Sequence, residues 1–373
     1  MQPNSTEASL LERKNIYRGC LLGGAVGDAL GAAVEFATWP QIQERFGEEG
    51  IRHYAEAYGG VGLITDDTQM TMFTADGLLR TYCRSNTKGI AHFPSVLSHA
   101  YLRWLKTQGY ESLHPKVSMT DGWLIKEPAL FAQRAPGTTC LNALKAIRVF
   151  GDTAQNDRKG CGAVMRVAPI GLFNALRTEE EVSNSALHDT FSMAVEAAQL
   201  THGHPTGYLA TGAFASIIHL LVCGEKLDDV VRRILDIYEL WPGFAETHQA
   251  LSRAVHLANS AVPPQEAIAD LGEGWVAEEA LAIAVYCALK ANDFDHGIRM
   301  AVNHGGDSDS TGSMAGQLMG ASLGIDAINP VWLEPLELRN AIQTLADDLA
   351  EAPFWCFDDD TELHNLLMRY PPY

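Results

Sequence analysis

The residues with the clearest capacity for chemistry lie in Asn303-His304-Gly305-Gly306-Asp307-Ser308-Asp309-Ser310-Thr311-Gly312. Two carboxylates, one residue apart, follow a glycine pair that gives the backbone room to turn. Met314, Ala315, Leu318, Met319 and Ser322 then recur at helical spacing, predicting a helix that starts near Ser310 or Thr311. Asp307 and Asp309 are hard oxygen donors of the kind that suits Mg²⁺, Ca²⁺ or Mn²⁺. The stretch is not an EF-hand. Asp307, Asp309, Thr311 and Gly312 fit the first half of that loop, but the position of its bidentate glutamate is Leu318. The competing explanation is plain helix capping, which needs no metal.

A second acidic cluster weakens that explanation. Thr65-Asp66-Asp67-Thr68 precedes Met70, Phe73, Thr74, Gly77 and Leu78, again at helical spacing. Adjacent carboxylates repel; a helix dipole relieves part of that, and a bound cation far more. Two such clusters, more than two hundred residues apart in sequence, are what a two-metal site would need.

The elements that must position them read as helices throughout. Ile16 to Ala33 is expected as the first, with Gly19, Gly23, Gly27 and Gly31 on one face. Glycine costs helix stability, so four in register imply close packing against a neighbour. Asp28 and Glu35 fall near its end, where the dipole disfavours anions, so each is either a solvated surface group or a functional one. Residues 36–64 read as irregular and 106–137 as a loop or small insertion. Further helices are expected at Ala91–Leu105, Thr139–Phe150, Phe191–His202, Thr206–Cys223, Leu227–Ile237, Phe244–Leu257, Trp275–Leu289 and Leu336–Leu349. The apolar residues of the tail predict that it docks. Period-2 alternation is almost absent, so the fold class is all-α: a multi-helix bundle with a binuclear metal cleft, residues 1–14 a flexible leader and 15–373 one domain.

Two further stretches carry weaker signals. Gly160-Cys161-Gly162-Ala163-Val164-Met165-Arg166 could bring backbone N–H groups close to a phosphate, although alone it reads as an ordinary tight connection. His202-Gly203-His204 lacks the nearby third ligand that zinc requires.

Composition bounds the reading. The chain has 373 residues and a formal charge of −19, with no basic run, which argues against nucleic-acid and anionic-membrane partners. Its seven cysteines are scattered without CxxC or framework spacing, as expected of reduced thiols in a cytoplasmic protein. Met1–Lys14 is too polar for a signal peptide. The apolar run Gly19–Phe36 is interrupted by Asp28 and Glu35, a poor membrane span.

Six blocks in order carry a family likeness: Gly24–Gly31 with Glu35, Thr65–Thr68, Gly160–Arg166, Thr201–Pro205, Gly274–Leu281 and Gly306–Gly312. Over about Tyr17 to Leu349 the sequence resembles the ADP-ribosylglycohydrolase family, which includes the dinitrogenase-reductase-activating glycohydrolases. The resemblance implies a Mg²⁺-dependent hydrolase, with Mn²⁺ as a possible substitute, that removes mono-ADP-ribose from protein side chains. It implies two ions held by Thr65, Asp66, Asp67, Asp307, Asp309 and Ser310. It also implies a diphosphate-binding loop of Gly160, Cys161, Gly162, Ala163, Val164 and Met165, with His202 near the distal part of ADP-ribose. Glu35 would sit on a mobile segment over the site, with Glu35, Asp67 and Asp309 as catalytic residues. The Asp-Ser-Asp-Ser-Thr-Gly form looks more like arginine-specific members than serine-specific ones. A catalytically silent ADP-ribose binder, a hydrolase of serine-linked ADP-ribose and a metal-dependent phosphohydrolase of another nucleotide stay open as alternatives.

Overall fold

The glycine spacing in the first helix finds its partner in the helix that carries the second aspartate pair. The computed structural model describes residues 5–114, 120–175, 182–239 and 241–372. Gly19, Gly23 and Gly31 of the Ser5–Gly31 helix face Gly320, Gly316 and Ser308 of the Ser308–Leu323 helix, in reverse order, so the two run antiparallel. A Cβ on Gly23 would stand 2.5 Å from the carbonyl oxygen of Gly316, closer than side chains permit. Without side chains between them the two backbones touch. The antiparallel arrangement sets the C-terminal end of the first helix, with Asp28 and Gly31, beside the N-terminal end of its partner, with Asp307 and Asp309.

A third helix is fastened to this pair. Asp28 is fully buried, and its two carboxylate oxygens accept from the backbone N–H of Thr65, at 3.0 Å each. One of them also accepts from the Thr68 N–H at 3.1 Å and from the Thr68 hydroxyl. These donors are among the N–H groups that the Asp66–Lys88 helix cannot satisfy internally. Asp28 is therefore not a solvated surface group. It anchors the start of the helix that carries Asp66 and Asp67.

The rest of the core is helix on helix. Among the described residues there is no strand, only isolated antiparallel bridges between Ala57 and Gly60 and between Gly160 and Val276. Pro205–Val222 and Ala277–Lys290 run through the interior. The first of these is long and apolar enough to cross a membrane, and most of it is buried within the fold. The fully buried Asp76 binds Arg80 of its own helix at 2.8 Å and Arg103 of Phe93–Thr107 at 2.5 Å. At the other end of the chain Tyr370 is buried, bonds Asp348 through its hydroxyl and stacks on Trp355, so the tail docks as its apolar residues predict.

Boundaries differ from expectation where caps and short helices intervene. The first helix starts at Ser5, not Ile16, because Leu10 to Lys14 are themselves good helix formers, and Lys14 pairs with Glu351. Residues 1–4 of the expected leader and 115–119 of the expected insertion lie outside the described residues. Trp39–Phe46 forms a helix inside the stretch read as irregular; the Gln41 side chain accepts from the Thr38 N–H at 2.8 Å. The helix expected from Phe191 begins at Asn184, where the Ser183 hydroxyl accepts from the Ala186 N–H.

Candidate active site

The two acidic clusters stand at two helix N-termini. Thr65 caps the Asp66–Lys88 helix by accepting from the Asp67 N–H, and Asp66 and Asp67 fill the first turn. Asp307 immediately precedes Ser308–Leu323, and Asp309 and Ser310 fill its first turn. All six residues are buried. Capping accounts for Thr65 but not for Asp307, whose side chain caps no backbone N–H of the helix it precedes. One of its carboxylate oxygens instead accepts from the Cys161 thiol at 2.6 Å. The helix starts slightly earlier than its pattern predicts, at Ser308, which places Asp309 inside the first turn.

The clusters face each other. Glu35, Asp307 and Asp309 each turn one carboxylate oxygen to within 4.8 Å of the others. Burial and then the charge of Asp309 push the carboxyls of Asp66, Asp67 and Asp307 well above the usual carboxylate range. The same two causes, in the same order, lift Asp28 to about 7 and Glu35 to about 11. Asp66 and Asp307 both contribute to the shift of Glu35, so the two helix starts act on one space. Among the described residues no lysine or arginine forms an ion pair with any of these groups. A buried carboxylate cluster of this kind must take up protons or a cation. One oxygen of Asp67 is buried with no hydrogen-bond partner. Carboxylates with neutral hydroxyls beside them form an all-oxygen donor set that fits a hard divalent cation such as Mg²⁺ or Mn²⁺.

The glycine-rich stretch borders the same space. Cys161–Arg166 is a short 3-10 segment held by the Cys161 N–H, which donates to the Trp275 carbonyl at 3.1 Å. That donor is therefore taken; Gly160, Cys161 and Gly162 are partly exposed, whereas Ala163, Val164 and Met165 are buried. The Ser310 hydroxyl points at the sulfurs of Cys161 and Met165, at 3.6 and 3.7 Å. His202 is buried against this loop, and its Nε2 atom would stand 3.6 Å from a Cβ on Gly160. His204 does not join it. Its Nδ1 accepts from the Thr206 N–H and caps the Pro205–Val222 helix.

Three rim residues escaped the sequence reading. Tyr58 donates through its hydroxyl to Glu35 at 3.3 Å, and Phe36 stacks on Trp275 with ring centroids 5.4 Å apart. Phe36 and Tyr58 both have positive φ, 66° and 54°, a strained backbone for non-glycine residues and one found disproportionately at functional sites. Spacing gives no sign of such loop conformations. Asp28 did leave a signal, a carboxylate at the wrong end of a helix dipole.

A family profile described as ADP-ribosylglycohydrolase matches residues 7–356. The chain is 29% identical to an uncharacterized protein of Archaeoglobus fulgidus, over 90% of this chain and 96% of that one. It is 25% identical to the ADP-ribosyl-[dinitrogen reductase] glycohydrolase of Rhodospirillum rubrum, over 86% and 90%. With the ADP-ribosylarginine hydrolase Tri1 of Pseudomonas putida it shares 23% identity, over 89% and 77%. A solved structure titled ADP-ribosylglycohydrolase-related protein complex superposes with a TM-score of 0.66 at 28% identity, covering 92% of this chain and 99% of that one. With a profile match over nearly its whole length, the chain belongs to the ADP-ribosylglycohydrolase family, and its chemistry is that of a glycosidase.

Proposed function

We propose that this protein hydrolyses the N-glycosidic bond between the distal ribose of mono-ADP-ribose and an arginine side chain of a modified protein. The observation that carries this reading is the convergence of Thr65-Asp66-Asp67 and Asp307-Asp309-Ser310 from two helix starts, with Glu35, in one buried space without a basic partner. The name of the Pseudomonas putida relative supports arginine as the acceptor. Seven free cysteines support work in a reducing cytoplasm.

Thr65, Asp66, Asp67, Asp307, Asp309 and Ser310 would hold two Mg²⁺ ions. When bound, these supply Lewis acidity and offset charge crowding among the carboxylates. The chain's own groups do the rest. Asp67 or Asp309 takes a proton from the attacking water as its oxygen bonds to C1 of the ribose. The C1–N bond breaks through an oxocarbenium-like state, and its electron pair leaves with the guanidine nitrogen. Glu35 stands at the mouth, where it orients the guanidine and delivers the proton that nitrogen requires. Gly160, Cys161 and Gly162 leave space for the diphosphate, and His202 faces the same space.

The test is a hydrolase assay on mono-ADP-ribosylated protein, with arginine- and serine-linked substrates side by side, with and without EDTA. Release of ADP-ribose from the arginine linkage in Mg²⁺, lost in EDTA, is expected. Binding of ADP-ribose without turnover would identify a silent binder, and faster release from serine would reverse the acceptor assignment. A folded Asp307→Asn/Asp309→Asn variant that kept the parental rate would refute the metal assignment.

A further inference from the structure

Arg166 is a fully buried cation, and among the described residues no carboxylate pairs with it. Its guanidinium lies 4.3 Å from the centre of the Tyr101 ring. One terminal nitrogen points at weak acceptors, the sulfurs of Met70 and Cys140 at 3.4 and 3.3 Å. The other donates to the Thr201 hydroxyl at 2.7 Å and, at the long distance of 3.5 Å, to the Ala197 carbonyl. An unpaired buried charge is costly, so its one strong contact invites an account.

Thr201 passes the contact on. Its hydroxyl oxygen has one proton to give: His202 Nδ1 at 2.8 Å and the Ala198 carbonyl at 3.3 Å could accept it, and so could the Cys140 sulfur, a weak acceptor already taken by Arg166 at 3.3 Å. The Ala198 carbonyl already accepts from the Thr201 N–H at 3.0 Å and the His202 N–H at 2.9 Å. A carbonyl oxygen has two lone pairs, so the hydroxyl proton goes to Nδ1. The imidazole proton must then sit on Nε2. That atom is buried, has no partner in the protein and faces Gly160, where an added Cβ would meet nothing nearer than Nε2 itself at 3.6 Å. Above Gly162 the Cys140 sulfur already stands 2.9 Å from such a Cβ.

We propose that Arg166 and Thr201 are positioning residues that hold His202 in its Nε2–H tautomer. His202 thereby presents a hydrogen-bond donor, and not a base, to a phosphate or ribose oxygen seated over Gly160. The ligand named here rests on the ADP-ribose reading of the site; the tautomer does not. Burial and the nearby Arg166 charge also depress the His202 pKa to about 3, so the ring stays neutral while it donates. A neutral donor suits an oxygen that must be released again after turnover.

Two-bond ¹H–¹⁵N spectra of the full-length, ligand-free protein test this, with a His202→Gln variant to assign the signal. The expected result is an unprotonated Nδ1 and a protonated Nε2, unchanged down to pH 5. A proton on Nδ1, or a ring that charges above pH 5, overturns the proposal. Thr201→Val should mix the tautomers and weaken ADP-ribose binding by about tenfold, while Thr201→Ser should stay within about threefold of the parent. Parental tautomer and affinity in Thr201→Val would equally overturn it. If the parent shows the expected tautomer yet binds no ADP-ribose, the function assigned to the site falls and the relay stands.

Discussion

Gly27 and Gly312 meet backbone to backbone: a Cβ on Gly27 would stand 1.9 Å from the Gly312 carbonyl oxygen, with no flexible side chain to yield. The contact sits less than two turns from Asp309 and one residue from Asp28, so helix packing and site geometry share it. Gly27→Ala should push the two helices apart. Overpacking costs roughly 1–3 kcal/mol, and a backbone clash falls at the upper end or beyond. We expect a thermal midpoint several degrees lower and a larger loss of divalent-ion affinity than the stability change alone would give. Gly89→Ala serves as the control, since no atom lies near its added Cβ and its left-handed backbone carries a cost of roughly 1–2 kcal/mol far from the helix contact. Parental ion affinity in Gly27→Ala would separate the packing from the site.

Asp28 ties the same helix pair to Thr65 and Thr68. Every hydrogen bond it makes is one it accepts, so an amide in its place would point N–H groups at N–H groups. Asp28→Asn should fold, because the side-chain shape is kept, yet lose about 10–100-fold in activity or ion affinity, as groups that orient metal ligands commonly do. Calorimetric titration with Mn²⁺ reads this directly. If Asp28→Asn bound the ion like the parent, Asp28 would be a structural anchor only.

Ion removal should change how stability depends on pH. Asp28 has a folded pKa of about 7 against a usual value near 4, so its favourable contribution is fully present below pH 4 and is lost as pH rises through 7. Asp66, Asp67 and Asp307 are shifted in the same direction. The EDTA-treated protein should therefore lose stability between pH 4 and 7, and Mg²⁺ should restore it, by about 2.7 kcal/mol at a hundred times its Kd. Thermal melts at several pH values, with and without the ion, measure both effects. A midpoint indifferent to Mg²⁺ at pH 7 would sink the cation reading.

His219 should show the opposite sign. It is fully buried, bonds Thr190 through Nδ1 at 2.7 Å and leaves Nε2 without a partner. Burial, with Arg233 adding to it, lowers its pKa to about 4. Its contribution is therefore present above pH 6.5 and is lost as pH falls towards 4, by up to about 1.4 kcal/mol per pH unit. The stability difference between the parent and His219→Gln should shrink over that range. Urea midpoints at pH 7, 6 and 5 would show it, and a constant difference would mean that the ring is not held neutral.

The sequence spoke clearly wherever a property was local. Helical spacing at Met70–Leu78 and Met314–Ser322 marks two helices, and the acids before them mark two N-termini. The glycines at 19, 23, 27 and 31 announced a close neighbour, but not that it would be Gly312, Gly316 and Gly320, since pairing across nearly three hundred residues leaves no local trace. The same is true of Asp28, whose donors come from another helix. The orientation of His202 depends on Arg166 and Thr201 together, and only the folded chain sets the three in line. Loop backbones that break the φ rule, at Phe36 and Tyr58, are fixed by tertiary contacts rather than by residue type.

The stack of Phe36 on Trp275 gives the last prediction. Both rings are partly exposed at the rim, nearly parallel at 17°, and Phe36 directly follows Glu35 in the chain. Such an exposed pair secures little of the core, so its effect should fall on the segment that carries Glu35. Aromatic pairs add about 0.5–1.5 kcal/mol beyond their buried area, or roughly 2–12-fold in an equilibrium. Phe36→Ala should therefore raise KM for a modified protein substrate by about that factor and leave the thermal midpoint nearly unchanged. Trp275→Ala should do the same, and the double variant should be no worse than either single one, because each single change already frees the segment. Effects that simply multiplied in the double variant would show that the two rings touch the substrate separately and do not act through each other.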